Sequence, residues 1–224
     1  MEKLLEAQRQ TRSYLALRLD LAANKAPLPL ARTDDPLLPF AQALIDATRD
    51  VVCGYVLDPA YFLADGAAGV IALERIAAYV PADRVTVFDA RFGHLGASAP
   101  AYARATREAF RADAVTFSVK ADREVEEAFG RYAALQVFYP SEVGGELIDP
   151  RAGLIVATGW AEAMPLTPAP LLIRHAAASV KTASDQVKLI EGDPDLIYAS
   201  RRADYLDATR AAVTAVSESL GRPA

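Results

Sequence analysis

Eight short runs of apolar residues, most of them followed by a segment with helical periodicity, constrain this chain more than any other feature. The runs fall at 14–20, 51–57, 84–89, 114–118, 134–138, 153–158, 170–173 and 196–199. Helical patterns open at Pro36, where Leu37, Phe40, Ala41, Leu44 and Ile45 share one face, and recur at 66–79, 99–111, 122–132, 180–190 and 202–220. Segment 139–151 carries two prolines and Gly144-Gly145 and shows little helical pattern. The runs are continuously apolar rather than alternating, so both faces of each strand are expected to be covered, as in a parallel sheet flanked by helices. A (β/α)8 TIM barrel explains both the count and the order, and 224 residues falls in the lower part of that fold's range of roughly 200 to 400. An open, doubly wound sheet is the alternative α/β arrangement. No linker or shift in composition divides the chain, so residues 1–224 are read as a single domain.

Composition narrows the function classes. Hydrophobic residues make up 52% and charged residues 24%, which is enough to build a full core and argues against disorder. A net charge of -5 with no basic patch speaks against nucleic acid or a membrane surface as partner and favours a small molecule. The single cysteine, Cys53, lies inside an apolar run and reads as a buried, inert thiol. Two scattered histidines and no CxxC pair do not make a metal site, and no cofactor is expected. Met1–Gln10 is charged and amphipathic, a first helix rather than a signal peptide, and no apolar run is long enough to span a bilayer. The cytoplasm is the default compartment.

Polar chemistry is concentrated where the third run ends. Val85-Thr86-Val87-Phe88 leads into Asp89-Ala90-Arg91-Phe92-Gly93-His94, which places an acid, a guanidinium and one of the two histidines beyond a strand's carboxyl end. In parallel α/β folds the ligand crevice opens at that end. Asp89, Arg91 and His94 are therefore the candidate catalytic residues, and a salt bridge with an interface contact is the structural alternative. His175 near the seventh run and Trp160 after the sixth are read as packing residues.

The segment from Asp89 to Ala103, followed by Ala112-Asp113-Ala114-Val115-Thr116, resembles the signature of orotidine 5'-phosphate decarboxylases, D-A-K-R-G-D-I-G-x-T-A-x-x-Y-A and then A-D-A-V-T. Tyr61-Phe62-Leu63-Ala64-Asp65-Gly66-Ala67-Ala68-Gly69 with Leu73-Glu74-Arg75 is similar to the family's F-F-E-x-x-G-x-x-G and L-E-R. Asp195 to Arg201 resembles L-I-V-N-S-S-R, and 204–213 resembles the D-x-x-x-A-A-R-x-A-A helix. The resemblance implies the barrel, a homodimer with a shared site, and a nucleotide substrate of pyrimidine metabolism. It also implies substrate-binding roles for Asp20 on ribose, Ser98 at a threonine position beside the dimer partner, and Arg201 on phosphate.

The departures fall on the chemistry. Arg91 replaces the motif lysine, His94 replaces the second aspartate, and the lysine of the second strand falls on Val56. The glycine-rich loop expected after strand seven is Ile173-Arg174-His175-Ala176-Ala177-Ala178-Ser179, with no glycine. Arginine, with a pKa above about 12, is a poor proton donor near neutrality, whereas histidine, with a reference pKa of about 6.5, is a suitable one. The reading is an orotidine 5'-phosphate decarboxylase-like protein that acts on or binds an anionic nucleotide or sugar phosphate. As a carboxy-lyase it would use Asp89 as electrostatic element or base, Arg91 as carboxylate or oxyanion clamp, His94 as acid and Arg201 on phosphate, without the lysine on which decarboxylation depends. The alternatives are a non-catalytic paralogue serving as a binding or assembly protein, and a related phosphosugar lyase such as a hexulose-phosphate synthase.

Overall fold

The computed structural model describes residues 1–141, 152–157, 167–174 and 186–223. Eight parallel strands close into a barrel in chain order: β1 (Leu15–Arg18), β2 (Gly54–Leu57), β3 (Val85–Phe92), β4 (Ala114–Phe117), β5 (Gln136–Pro140), β6 (Gly153–Ala157), β7 (Leu171–Arg174) and β8 (Lys188–Glu191), with β8 returning to pair with β1. The closed sheet confirms the barrel over the open alternative. Around it lie α1 (Glu2–Thr11), α2 (Leu37–Thr48), α3 (Pro59–Leu63), α4 (Gly66–Tyr79), α5 (Ala99–Arg104), α6 (Arg123–Gly130) and α7 (Tyr205–Ser219). Among the described residues no helix is long and apolar enough to cross a membrane.

The strands separate two cores. Leu15 and Leu17 of β1 point outward into the layer shared with Phe40, Leu44 and Ile45 of α2 and Val213 of α7. Ala16, Val56, Val87, Phe138, Ile155, Leu172 and Leu189 form the second cluster, inside the barrel, and Leu4 and Ala7 of α1 close it from below. Gln8 of α1 fastens this plug by donating Nε2 to the Lys188 carbonyl at 2.6 Å. Cys53 is fully buried in the inner cluster, and burial raises its thiol pKa to about 12, so it is inert.

Four elements differ from the sequence reading. The eighth strand is Lys188–Glu191, within the segment expected to be helical, while Pro194–Tyr198 forms a 3-10 turn where the eighth strand was expected. The reason lies in the flanking charges. Asp193 accepts a hydrogen bond from the Asp195 N–H, and Pro194 presets the first turn, so the apolar pair Leu196-Ile197 is wound rather than extended. The true strand carries Lys188 and Glu191 at its two ends, which hid it from a search for apolar runs. The remainder of that expected helix, 180–185, lies outside the described residues, as do His175 and Trp160. The expected helix 99–111 is also shorter, α-helical to Arg104 and continuing as a π-turn over Ala105–Ala109, and α3 follows directly on β2, where a loop was expected.

Gly153 illustrates how tightly the interior is filled. A Cβ there would overlap the Phe138 ring and lie 2.8 Å from the Pro170 carbonyl oxygen, so β6 can pass between them only as glycine. Gly153→Ala is expected to lower stability by about 1–3 kcal/mol, the usual range for overpacking, read as a lower urea midpoint with an unchanged m-value. A midpoint equal to wild type would show that this wall yields.

Candidate active site

At the carboxyl end of the strands the apolar interior gives way to charge. Arg18, the last residue of β1, turns into the barrel and is only 1% exposed. Its Nε and Nη2 donate to the two carboxylate oxygens of Asp20 at 2.8 and 3.1 Å. Its Nη1 donates to Asp89 Oδ2 at 3.0 Å and to Glu191 Oε2 at 3.1 Å, and Nη2 reaches Asp58 Oδ2 at 3.5 Å. Burial opposes this charge, but the hydrogen bonds of Asp20 and the charges of Glu191, Asp20 and Asp89 hold the guanidinium above its ordinary pKa.

Asp89 is the common partner. Its Oδ2 accepts from Arg18, from Arg91 Nε and Nη2 at 3.2 and 2.9 Å, and from Arg174 Nη1 at 3.1 Å. Its Oδ1 accepts from Thr116 Oγ1 at 2.7 Å and Arg174 Nη2 at 2.8 Å. Burial works against ionisation, yet the hydrogen bonds of Arg174 and Arg91 and the charges of Arg174 and Arg18 hold Asp89 well below the usual carboxylate range. A carboxylate has roughly four lone-pair sites, and here every one is engaged.

Local backbone geometry aims Arg91 at this partner. The β3–β4 register shifts between Phe88 and Phe92, and within that irregularity Arg91 takes a positive φ of 48°. This left-handed conformation is unfavourable for a residue with a Cβ. It is held where the Arg91 N–H donates to Thr116 Oγ1 at 3.1 Å while the side chain folds back on Asp89. The Arg91 side chain remains 50% exposed, and its Nη2 also reaches Asp58 Oδ2 at 3.3 Å.

Glu191 is the odd member. Among the described residues Arg18, Arg91 and Arg174 face four carboxylates, those of Asp20, Asp58, Asp89 and Glu191. Glu191 is fully buried, and its Oε1 has no hydrogen-bond partner among the described residues. Burial, with the Asp89 charge, pushes its pKa up to about 7 against the pull of Arg174 and Arg18. Asp20 is also raised, first by burial and then by the charges of Asp58 and Asp89.

Asp20, Asp89 and Arg91, all singled out from the sequence, thus belong to one cluster. His94 and Ser98 are exposed and make no side-chain hydrogen bond among the described residues, and they lie outside it. Arg201 is exposed at the rim and donates Nη2 to the Asn24 carbonyl at 3.0 Å. Sequence reasoning missed Arg18, Asp58, Arg174, Glu191 and Thr116. A signal was available, because Arg18, Arg174 and Glu191 are the last residues of their strands and Asp58 directly follows β2. Val56, where the resemblance expects a lysine, is fully buried in the inner cluster, and its partner in register across β1–β2 is Arg18.

No family model matches the chain. An orotidine 5'-phosphate decarboxylase of Roseiflexus sp. (strain RS-1) is 36% identical over 132 residues, covering 59% of this chain and 48% of its own length. One of Herpetosiphon aurantiacus is 36% identical over 118 residues, covering 53% of this chain and 44% of its own. The chain spans about half the length of the curated relatives it matches. Among solved structures, OMP decarboxylase of Leishmania donovani shares the fold with a TM-score of 0.73 at 23% identity, over 98% of this chain and 96% of that one.

Asp89 and Glu191, shifted in opposite directions, give stability opposite pH dependences. Asp89, held low, contributes stability that is present above its unfolded pKa and lost as pH falls. Glu191, raised to about 7, contributes stability that is full below its unfolded pKa near 4.5 and lost as pH rises through 7. The melting temperature is expected to peak near pH 4, between the two unfolded values, to fall as pH rises to about 7, and to level off above it. Glu191→Gln removes the fall between about pH 4.5 and 7, worth up to about 3 kcal/mol for a shift of this size. Parallel Tm–pH curves for the variant and wild type would show that Glu191 stays ionised. Arg18→Met leaves several carboxylates buried without their main partner and is expected to cost about 3–5 kcal/mol at pH 7 in a urea titration.

Proposed function

We propose that this chain, 36% identical over 132 residues to an orotidine 5'-phosphate decarboxylase, binds an anionic nucleotide or sugar phosphate at the carboxyl end of its barrel without decarboxylating it. The observation that carries the reading is the state of Asp89. In the decarboxylase reaction implied by the resemblance, an aspartate faces the substrate carboxylate and a lysine stabilises and protonates the carbanion. Here six hydrogen bonds from Arg18, Arg91, Arg174 and Thr116 occupy Asp89. A neutralised and fully engaged carboxylate repels an incoming carboxylate little, and its ionisation is already spent on the protein.

The cation of the second strand is supplied one strand away. Arg18 lies beside Val56 in the β1–β2 pairing, so positive charge is retained near the axis, on a group that does not release a proton near neutrality. His94, the remaining candidate acid, is exposed and without contact to Asp89. Exposed cations persist at the mouth in Arg91 and Arg201, which favours attraction of an anion over bond cleavage.

Two measurements test this. Orotidine 5'-phosphate absorbance is expected to stay constant at micromolar protein, and a decrease abolished by Asp89→Ala would overturn the non-decarboxylating reading. Uridine monophosphate at millimolar concentration is expected to raise the melting temperature, with the shift lost in Arg201→Ala. Absence of any shift with uridine monophosphate or ribose 5-phosphate would favour a pure assembly role.

A further inference from the structure

At the end of the barrel opposite the charged layer, a cavity of about 370 Å3 lies between the first turn of α1 and the amino-terminal ends of the strands. That volume is within the ordinary range of small-molecule sites, roughly 300–1,000 Å3. Its inner wall is apolar, made by Val85, Ala114, Phe138 and Leu189 with Leu4 of α1, all members of the cluster that fills the barrel. The charged residues of the lining are more open to solvent, and their signs balance, with Lys3 and Arg107 beside Glu2 and Asp113.

Part of this charge is already paired. Lys3 Nζ donates to Asp113 Oδ2 at 2.5 Å, and the same oxygen accepts the Thr86 N–H at 2.9 Å. Arg107 Nη1 donates to the Ala112 carbonyl at 3.0 Å and lies 3.8 Å from Asp113 Oδ1. An unlike pair is left over, side by side. Among the described residues Asp113 Oδ1 accepts no hydrogen bond, and neither Arg107 Nε nor Nη2 donates one. The Glu2 carboxylate has no described partner either. Arg107 is placed here by the π-turn Ala105–Ala109, which the Phe110 N–H closes on the Ala105 carbonyl at 3.0 Å. Such turns are rare and are frequent at functional sites.

The balance of signs selects the ligand. A lone carboxylate would meet Arg107 together with Glu2 and Asp113, and a lone ammonium would meet those acids together with Lys3 and Arg107, so a single charge gains little. A molecule that carries both charges on one carbon satisfies both halves. Its carboxylate accepts from Nε and Nη2 of Arg107, its ammonium donates to Asp113 Oδ1 and Glu2, and an apolar substituent enters the end of the barrel.

We propose that this cavity beneath α1 is a binding site for a free α-amino acid with an apolar side chain. The ligand bridges α1 to the strands that α1 plugs. Because the site lies at the far end from the mouth, it stands independently of the nucleotide-binding reading.

Calorimetric titration of the full chain with L-leucine and L-phenylalanine tests it. Binding of at least one is expected. Isocaproate, the leucine skeleton without its ammonium, and isoamylamine, the same skeleton without its carboxylate, are each expected to bind about 10-fold more weakly or worse than leucine. Arg107→Met removes the carboxylate's partner, and Ala134→Trp fills the cavity from an exposed lining position. Each is expected to raise the Kd by about 10-fold or more, and circular dichroism melts confirm that the variants are folded. Binding of neither amino acid overturns the proposal. Isocaproate or isoamylamine binding as tightly as leucine overturns the recognition of paired charges, and an unchanged Kd in either folded variant overturns the location.

Discussion

The guanidinium of Arg18 is the constraint on which the upper half of this barrel depends. An arginine whose strand position faces inward brings a full charge onto the barrel axis, where the cost of desolvation is several kcal/mol per ion. That cost is offset only by dense hydrogen bonding. The chain supplies acceptors from around the ring, with Asp20 after β1, Asp58 after β2, Asp89 on β3 and Glu191 on β8. Arg174 and Thr116 then tie Asp89 to β7 and β4. The result is a polar layer that bonds most of the strands to each other at the end where the sheet would otherwise open.

This layer explains the contrast along the barrel axis. Below it the interior is filled by Ala16, Val56, Val87, Phe138 and Leu172 and plugged by α1. Val56 fits this arrangement because its neighbour in register is already a cation. A lysine at 56 would add a further positive charge about 5 Å away, the spacing of adjacent strands. The acids after β2, on β3 and on β8 all turn toward Arg18.

The architecture was legible because a barrel is written in the count and order of apolar segments, and seven of the strands lie at or near the runs that signal them. The eighth was not, because Lys188 and Glu191 spend their charges on interior contacts, Lys188 over the Tyr14 ring and Glu191 against Arg18, and so mask a strand that is fully buried. The site was legible in part for a related reason. Asp89 and Arg91 stand in a charged stretch at the end of β3 and announce themselves, and Asp20 is marked by resemblance. Arg18 sits within the run Leu15-Ala16-Leu17-Arg18-Leu19, where a single charge reads as an interruption rather than as the centre of a network. Its partners come from positions up to 173 residues away, a relation that only closure of the barrel creates.

Arg91 shows how such a layer still communicates with solvent. It is the cation of the cluster that remains half exposed, in contrast to Arg18 at 1% and Arg174 at 19% side-chain exposure. Its Nε and Nη2 are committed to Asp89 and Asp58, which leaves Nη1 without a described partner and free to meet an anion at the mouth. The three arginines and three aspartates of the cluster neutralise each other once Glu191 is protonated, so the long-range field at this end arises from exposed groups outside it, Arg201 and Lys25 among them. The exposed cations lie on the rim, and the charges of the inner layer are held against each other beneath it.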